Sequence, residues 1–253
     1  MLAELYAGSI ADAETRRETV SLNQVEQLAL SAAPALNALE FLAPAAQIKI
    51  LAEVKRASPS KGQMAEIPDP ALLAEIYADN GASAISVLTE ERRFKGSLSD
   101  LRAVRAKVQV PLLRKDFIAS EYQILEGRAA GADIILLIVA GLPEAEIVRL
   151  KTFTEELGMT AFIETHSADE LKLAADVGGK ATARAAQVHR EHERDVISPE
   201  GKLRHRQHAR HHDQHRRGHH RPGPLPAARR RGPAVGGHLQ RRQRHEHHRD
   251  WNR

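Results

Sequence analysis

The stretch ILAEVKRASPSKG, residues 50–62, begins as an apolar strand and breaks into charge, serine, proline and glycine. Its end sets a carboxylate, Glu53, and an ammonium group, Lys55, two residues apart where a buried strand would emerge. Charges are costly inside a core, so a strand that ends in this way is expected to open onto a site.

Outward from this point, short apolar runs alternate with longer amphipathic ones. Strands are expected at IKILAEV (48–54), SAISVL (83–88), VPLLR (110–114), ADIILLIV (132–139) and MTAFIE (159–164). Several are apolar on both faces, as strands covered on both sides must be. Between them lie helical segments such as DPALLAEIYADNGA, SEYQILEGRAAGA and PEAEIVRLKTFTEELGM. Gly81, Gly131 and Gly158 fall where a left-handed cap would end a helix before the next strand, and Pro70 and Pro143 fall near helix starts. Residues 1–45 read as a helical extension in which Ser21 is placed to cap SLNQVEQLALSA. Five strand–helix repeats predict a parallel sheet with right-handed crossovers. A doubly wound sheet is the alternative, but no G-x-G-x-x-G follows the first strand. Glu53 and Lys55 end the first strand, Lys115 the third and Glu164 the fifth; in a TIM-type (β/α)8 barrel such ends converge on one mouth, so an α/β barrel is the expected fold.

A chain of 253 residues suits one such barrel. With no cysteine, disulfides, thiolate nucleophiles and cysteine metal sites are excluded. The opening residues lack a basic start with a long apolar core, and no apolar run approaches the roughly 18 residues of a membrane span, so a cytoplasmic enzyme without a membrane partner is expected. The overall charge of +4 averages two unlike pieces. Residues 1–176 hold 18 Lys and Arg against 26 Asp and Glu, a net −8, whereas residues 177–253 hold 19 against 7, a net +12. The second piece also carries 13 of the 14 histidines and only nine Val, Ile, Leu or Trp residues, too little apolar surface to offset the entropy of ordering, so a disordered or irregular basic tail is expected there.

Two ammonium groups beside two carboxylates, partly shielded from water, make acid–base chemistry available at the mouth. A solvated turn is the plainer reading of any one of them, but inward residues of alternate strands share layers in a barrel, so Lys115, Glu164, Lys55 and Glu53 are expected to form one cluster. Ser58, Ser60 and the Lys61–Gly62 turn supply hydroxyls and backbone N–H groups suited to an anion such as a phosphate. Phe94 and Phe117 fall in loops after strands and would suit an aromatic substrate face or simply cover the rim. His166 is read as structural, and no metal motif occurs in residues 1–176.

The blocks AEVKRASPSKG, ISVLTEERRFKGSLSDL, PLLRKDFI, QILEGRAAGADIILLIVA and ELGMTAFIETHS together resemble indole-3-glycerol phosphate synthase, the barrel enzyme of tryptophan biosynthesis, over residues 46–176, and the N-terminal helices resemble the family's extension. The resemblance implies a cofactor-free lyase that closes the ring of 1-(2-carboxyphenylamino)-1-deoxyribulose 5-phosphate with decarboxylation. It implies Lys115 as general acid on the substrate carbonyl and Glu164 as acid–base partner in the dehydration. Lys55 and Glu53 would orient and assist, Ser58 would hold the substrate, and Phe94 and Phe117 would flank the anthranilate ring.

After residue 176 the family's later strands and its phosphate loop are not recognisable. The abundance of residues with G- and C-rich codons there is expected from an out-of-frame tail, which resequencing of the gene would test. Such a chain, lacking its closing strands, is expected to fold poorly and to be inactive. Two rival readings remain: a non-catalytic barrel fragment whose Arg- and His-rich tail binds nucleic acid or metal, and a related phosphosugar isomerase. Without aromatic interleaving or ordered ligand spacing, the tail is expected to attract polyanions only nonspecifically.

Overall fold

A computed structural model describes residues 1–184, with side chains through residue 182. The helical extension consists of α1 (Leu2–Thr19), α2 (Leu22–Ser31) and α3 (Ala38–Leu42). At the start of α2 the Ser21 side chain accepts the Gln24 N–H while the Gln24 side chain bonds back to the Ser21 backbone, a reciprocal cap that satisfies two otherwise orphaned donors.

The body is one six-stranded parallel sheet with strands in chain order. The strands are β1 (Leu51–Val54), β4 (Ala84–Leu88), β5 (Leu112–Lys115), β6 (Ile134–Ile138), β7 (Thr160–Thr165) and β8 (Ala181–Arg184), and β2 (Ala57–Ser58) with β3 (Gly62–Gln63) forms a separate hairpin. Helices α4 (Pro70–Asp79), α5 (Leu98–Arg105), α6 (Glu121–Ala129), α7 (Glu144–Glu156) and α8 (Ala168–Asp176) make the crossovers. This is the incomplete TIM-type barrel that the repeats predict. Asp69 caps α4 by accepting from Ala71 and Leu72, with Pro70 in the first turn, and Gly81, Gly131 and Gly158 take positive φ of 90°, 90° and 77° at the helix ends.

Strand alternation splits the core into two layers. Ile85, Val87, Leu112, Ile135, Leu137, Ala161 and Ile163 pack outward against the helices. Ala84, Leu113, Ile134, Leu136 and Ile138 pack inward, with Leu51 and Phe162 partly buried beside them and Leu5 and Tyr6 of α1 joining from the extension. The same alternation points Glu53 and Lys55, and likewise Lys115 and Glu164, to the inner face.

Two sequence expectations need correcting. The sheet runs one strand beyond the fifth: Ala181–Arg184 pairs in parallel with β7, Phe162 opposite Ala181 and Thr165 opposite Arg184. This segment has no apolar run to announce it; the backbone of β7 supplies the pairing, and Gly178, at φ 72°, turns the chain out of α8 toward it. An irregular tail beginning at residue 177 therefore starts too early, and its remainder from residue 185 lies outside the described residues. The first strand also begins at Leu51, leaving Ile48 and Ile50 outside it, 89% and 51% exposed. No helix among the described residues is long and apolar enough to cross a membrane.

Candidate active site

The four charged residues at the strand ends form two ion pairs. Lys115 Nζ donates to Glu164 Oε2 at 3.1 Å, joining β5 to β7 across the end of β6. Lys55 Nζ donates to Glu53 Oε1 at 2.5 Å, and the Ser86 hydroxyl donates to the other oxygen of Glu53 at 3.3 Å. No hydrogen bond or ion pair joins the two pairs among the described residues. All four side chains keep 18–29% of their surface, which leaves them open to a ligand.

The loop after β4 carries Phe94. Its framework is the buried Glu90 carboxylate, which accepts the backbone N–H groups of Arg92, Arg93 and Phe94 at 3.2, 2.7 and 2.8 Å. The turn back needs Gly96, since a Cβ there would lie 2.0 Å from the Leu88 carbonyl oxygen. Phe94 and Phe117 come together at 6.1 Å between ring centroids, tilted 44°. A third ring, Tyr6 of α1, meets Phe117 edge-on at 5.6 Å and 68°. Phe117 is buried against this cluster, whereas Phe94 stays half-buried.

Tyr6 was not foreseen as part of this mouth, because nothing in MLAELYAG distinguishes a ring that reaches the barrel from one that covers its own helix. Its hydroxyl is buried without a hydrogen-bond partner. Burial pushes the phenol far above its usual range; the Ile138 backbone pulls the other way from outside hydrogen-bonding geometry, and the charges of Glu164 and Asp116 add to the rise.

Beneath Lys115 lies a buried polar network that fixes the end of β5. The Arg114 guanidinium donates to Asp116 Oδ2 at 3.1 Å, to Thr89 Oγ1 at 3.1 Å and to the Gln123 carbonyl, with Glu126 at 3.5 Å. Asp116 also accepts from Thr89 at 2.6 Å, from the Phe117 N–H at 2.8 Å and from Ser9 of α1 at 2.8 Å. Burial works against the charge on Asp116, but Arg114 and these donors outweigh it and hold the carboxyl below its ordinary value of 3.8. Ser9, with Arg16 bound to Glu126 at 2.5 Å, fastens the helical extension over the β5–α6 corner.

The two serines lie on the hairpin after β1, and His166 meets Glu164. Ser58 sits in the small hairpin opposite Gly62, and Ser60 is exposed at its turn. His166 is 43% exposed, with Nε2 3.3 Å from Glu164 Oε1 and Nδ1 3.6 Å from Glu170 Oε2. Among the described residues no group of three potential ligands is placed to hold a metal ion.

The Lys115–Glu164 pair stands at the C-terminal ends of the parallel strands, the end at which enzymes of the β/α-barrel class carry their active sites. Comparison with known proteins gives the family: the model of indole-3-glycerol phosphate synthase matches residues 2–182, and the chain belongs to that family. The match therefore reaches six residues beyond the boundary read from the sequence. The indole-3-glycerol phosphate synthase of Leifsonia xyli subsp. xyli is 58% identical over 180 residues, covering 71% of this chain and 69% of that protein. Those of Arthrobacter sp. and Paenarthrobacter aurescens are 54% and 51% identical, covering 69% and 71% of this chain and 65% and 68% of their own lengths. The chain thus spans about two thirds of the length of these relatives.

Proposed function

We propose that residues 1–182 carry the acid–base half of an indole-3-glycerol phosphate synthase site, acting on 1-(2-carboxyphenylamino)-1-deoxyribulose 5-phosphate. The observation that carries this reading is the 3.1 Å contact between Lys115 and Glu164 at the barrel mouth. Lys115 protonates the substrate's ketone oxygen as the carboxyl-bearing ring carbon attacks the carbonyl carbon. Carbon dioxide then leaves, its bonding electrons staying with the ring. Loss of the new hydroxyl as water, with Glu164 handling the proton, completes the indole. Lys55, held by Glu53 at the end of β1, supplies a second cation to orient the substrate, half-buried Phe94 meets the anthranilate ring, and Ser58 and Ser60 on the hairpin after β1 help to hold the substrate. No cofactor is required by this balance.

The chain alone is proposed to be inactive, because in barrel enzymes of this type the phosphate is gripped by loops after the seventh and eighth strands. The test is a chimera joining residues 1–182 to the unmatched remainder of the Leifsonia xyli relative. It is expected to form indole-3-glycerol phosphate, and to lose at least about 100-fold on Lys115→Met or Glu164→Gln, the usual scale for a general acid or base. A folded chimera that yields only an isomerised phosphosugar, or nothing, sinks the reaction. Turnover by the unmodified chain at the relative's rate sinks the proposed inactivity.

A further inference from the structure

We propose that a cleft at the end of the sheet where β5 and β6 begin, opposite the ion pairs, binds a small organic monoanion: an aliphatic carboxylate whose chain lies on the apolar lining and whose head meets Arg102 and Arg128. The cleft holds about 500 Å³, within the range of small-molecule sites. The connection between α2 and α3 and the C-terminal turns of α5 and α6 form it, with Ala33, Pro34, Leu36, Ala106 and Ala130 as its apolar lining. No aromatic ring lines it among the described residues, so an aliphatic body suits it without stacking.

Among the described residues three arginines and one aspartate line the cleft, a net +2. Asp133 is already engaged: it accepts the Leu36 and Leu112 N–H groups at 2.7 and 2.8 Å and pairs with Arg105 at 2.8 Å. Arg102 is exposed and makes no hydrogen bond or ion pair among the described residues. Arg128 is only 7% exposed, yet it too has no carboxylate partner there; its Nη2 donates to the Ala32 and Ala33 carbonyls at 3.2 and 2.6 Å. Its Nε and Nη1 bond to no other described residue and are not sealed off, since Tyr6 Oη is the one buried side-chain polar atom without a partner there. A deeply buried guanidinium with donors left over in an open cleft is a fork shaped for a carboxylate. The plainer reading is that these arginines complement the C-terminal dipoles of α5 and α6. Two such ends supply roughly −0.5 charge each, so roughly one positive charge remains, which is the reason for a monoanion.

The test is calorimetric titration of the full chain with sodium octanoate. Saturable binding with a Kd below about 1 mM is expected. Arg102→Met alters an exposed side chain with no described partner to lose, so it should keep the parent's circular dichroism while binding about fivefold more weakly or worse. Octanol, which lacks the charge, and inorganic phosphate, which lacks the chain, should each bind about tenfold more weakly than octanoate or worse. Lys115→Met, at the other end of the strands, should bind octanoate as the parent does. No saturable binding, an Arg102→Met variant as tight as the parent, or octanol or phosphate matching octanoate would overturn the proposal. Weakening by Lys115→Met in place of Arg102→Met would move the ligand to the barrel mouth and overturn it too. None of these readouts requires turnover, so the cleft stands or falls separately from the reaction proposed above.

Discussion

Lys115 and Glu164 are 49 residues apart in sequence and sit on strands separated by a third, yet their charged atoms lie 3.1 Å apart. Alternate strands of a flat sheet stand about 10 Å apart. The gap is closed by the curl of the sheet, which tips both inward side chains over the end of β6, and by the length of a lysine reaching a glutamate.

Because both partners of that pair remain partly exposed, it adds little to stability: Lys115→Met in the full chain should shift the unfolding free energy by less than about 1 kcal/mol. Urea denaturation of the variant beside the parent measures this. A large loss would mean that Lys115 is a structural residue.

Arg114, one residue earlier, should behave in the opposite way. Its side chain is fully buried and neutralises Asp116 and Glu126, which are almost as deeply buried. Arg114→Leu leaves Asp116 without its cation and Glu126 with Arg16 alone, and should cost about 3–5 kcal/mol, enough to abolish a cooperative transition in a marginal protein. Thermal melts followed by circular dichroism provide the measurement.

Asp116 sets an acid limit. Its folded-state pKa lies below the ordinary value of 3.8, so its contribution to stability is complete above that value and disappears as pH falls through the lower folded-state value. Unfolding free energies of the parent should therefore fall more steeply below about pH 4 than those of Asp116→Asn. Equal slopes in the two proteins would rule out this source of acid lability.

Tyr6→Phe should be neutral or stabilising by up to about 1 kcal/mol, since it removes a buried hydroxyl that has no hydrogen-bond partner and keeps the ring against Phe117. Tyr6→Ala, by contrast, should cost about 3 kcal/mol through the cavity it leaves. Equilibrium unfolding of the two variants separates the hydroxyl from the ring.

The local elements were legible because each is written in neighbouring residues. Alternating apolar runs marked five strands, Gly81, Gly131 and Gly158 marked helix ends by a conformation that other residues adopt at a cost, and Ser21 marked a cap. β8 was not legible, since ATAR has no strand-like pattern and is ordered by the backbone of β7. The ASPSKG hairpin was likewise hidden, as the same residues serve equally in a turn or an anion loop.

By itself, the sequence determined the β/α repeat, the family and the strand ends that carry the charges, because periodicity and chain order are properties of nearby residues. Only the folded chain shows that Lys115 pairs with Glu164 and Lys55 with Glu53, that Tyr6 enters the aromatic cluster and that Ser9 bonds to Asp116. Those outcomes depend on which distant surfaces meet when the sheet curls and the N-terminal helix packs over it, and no single stretch of chain contains that information.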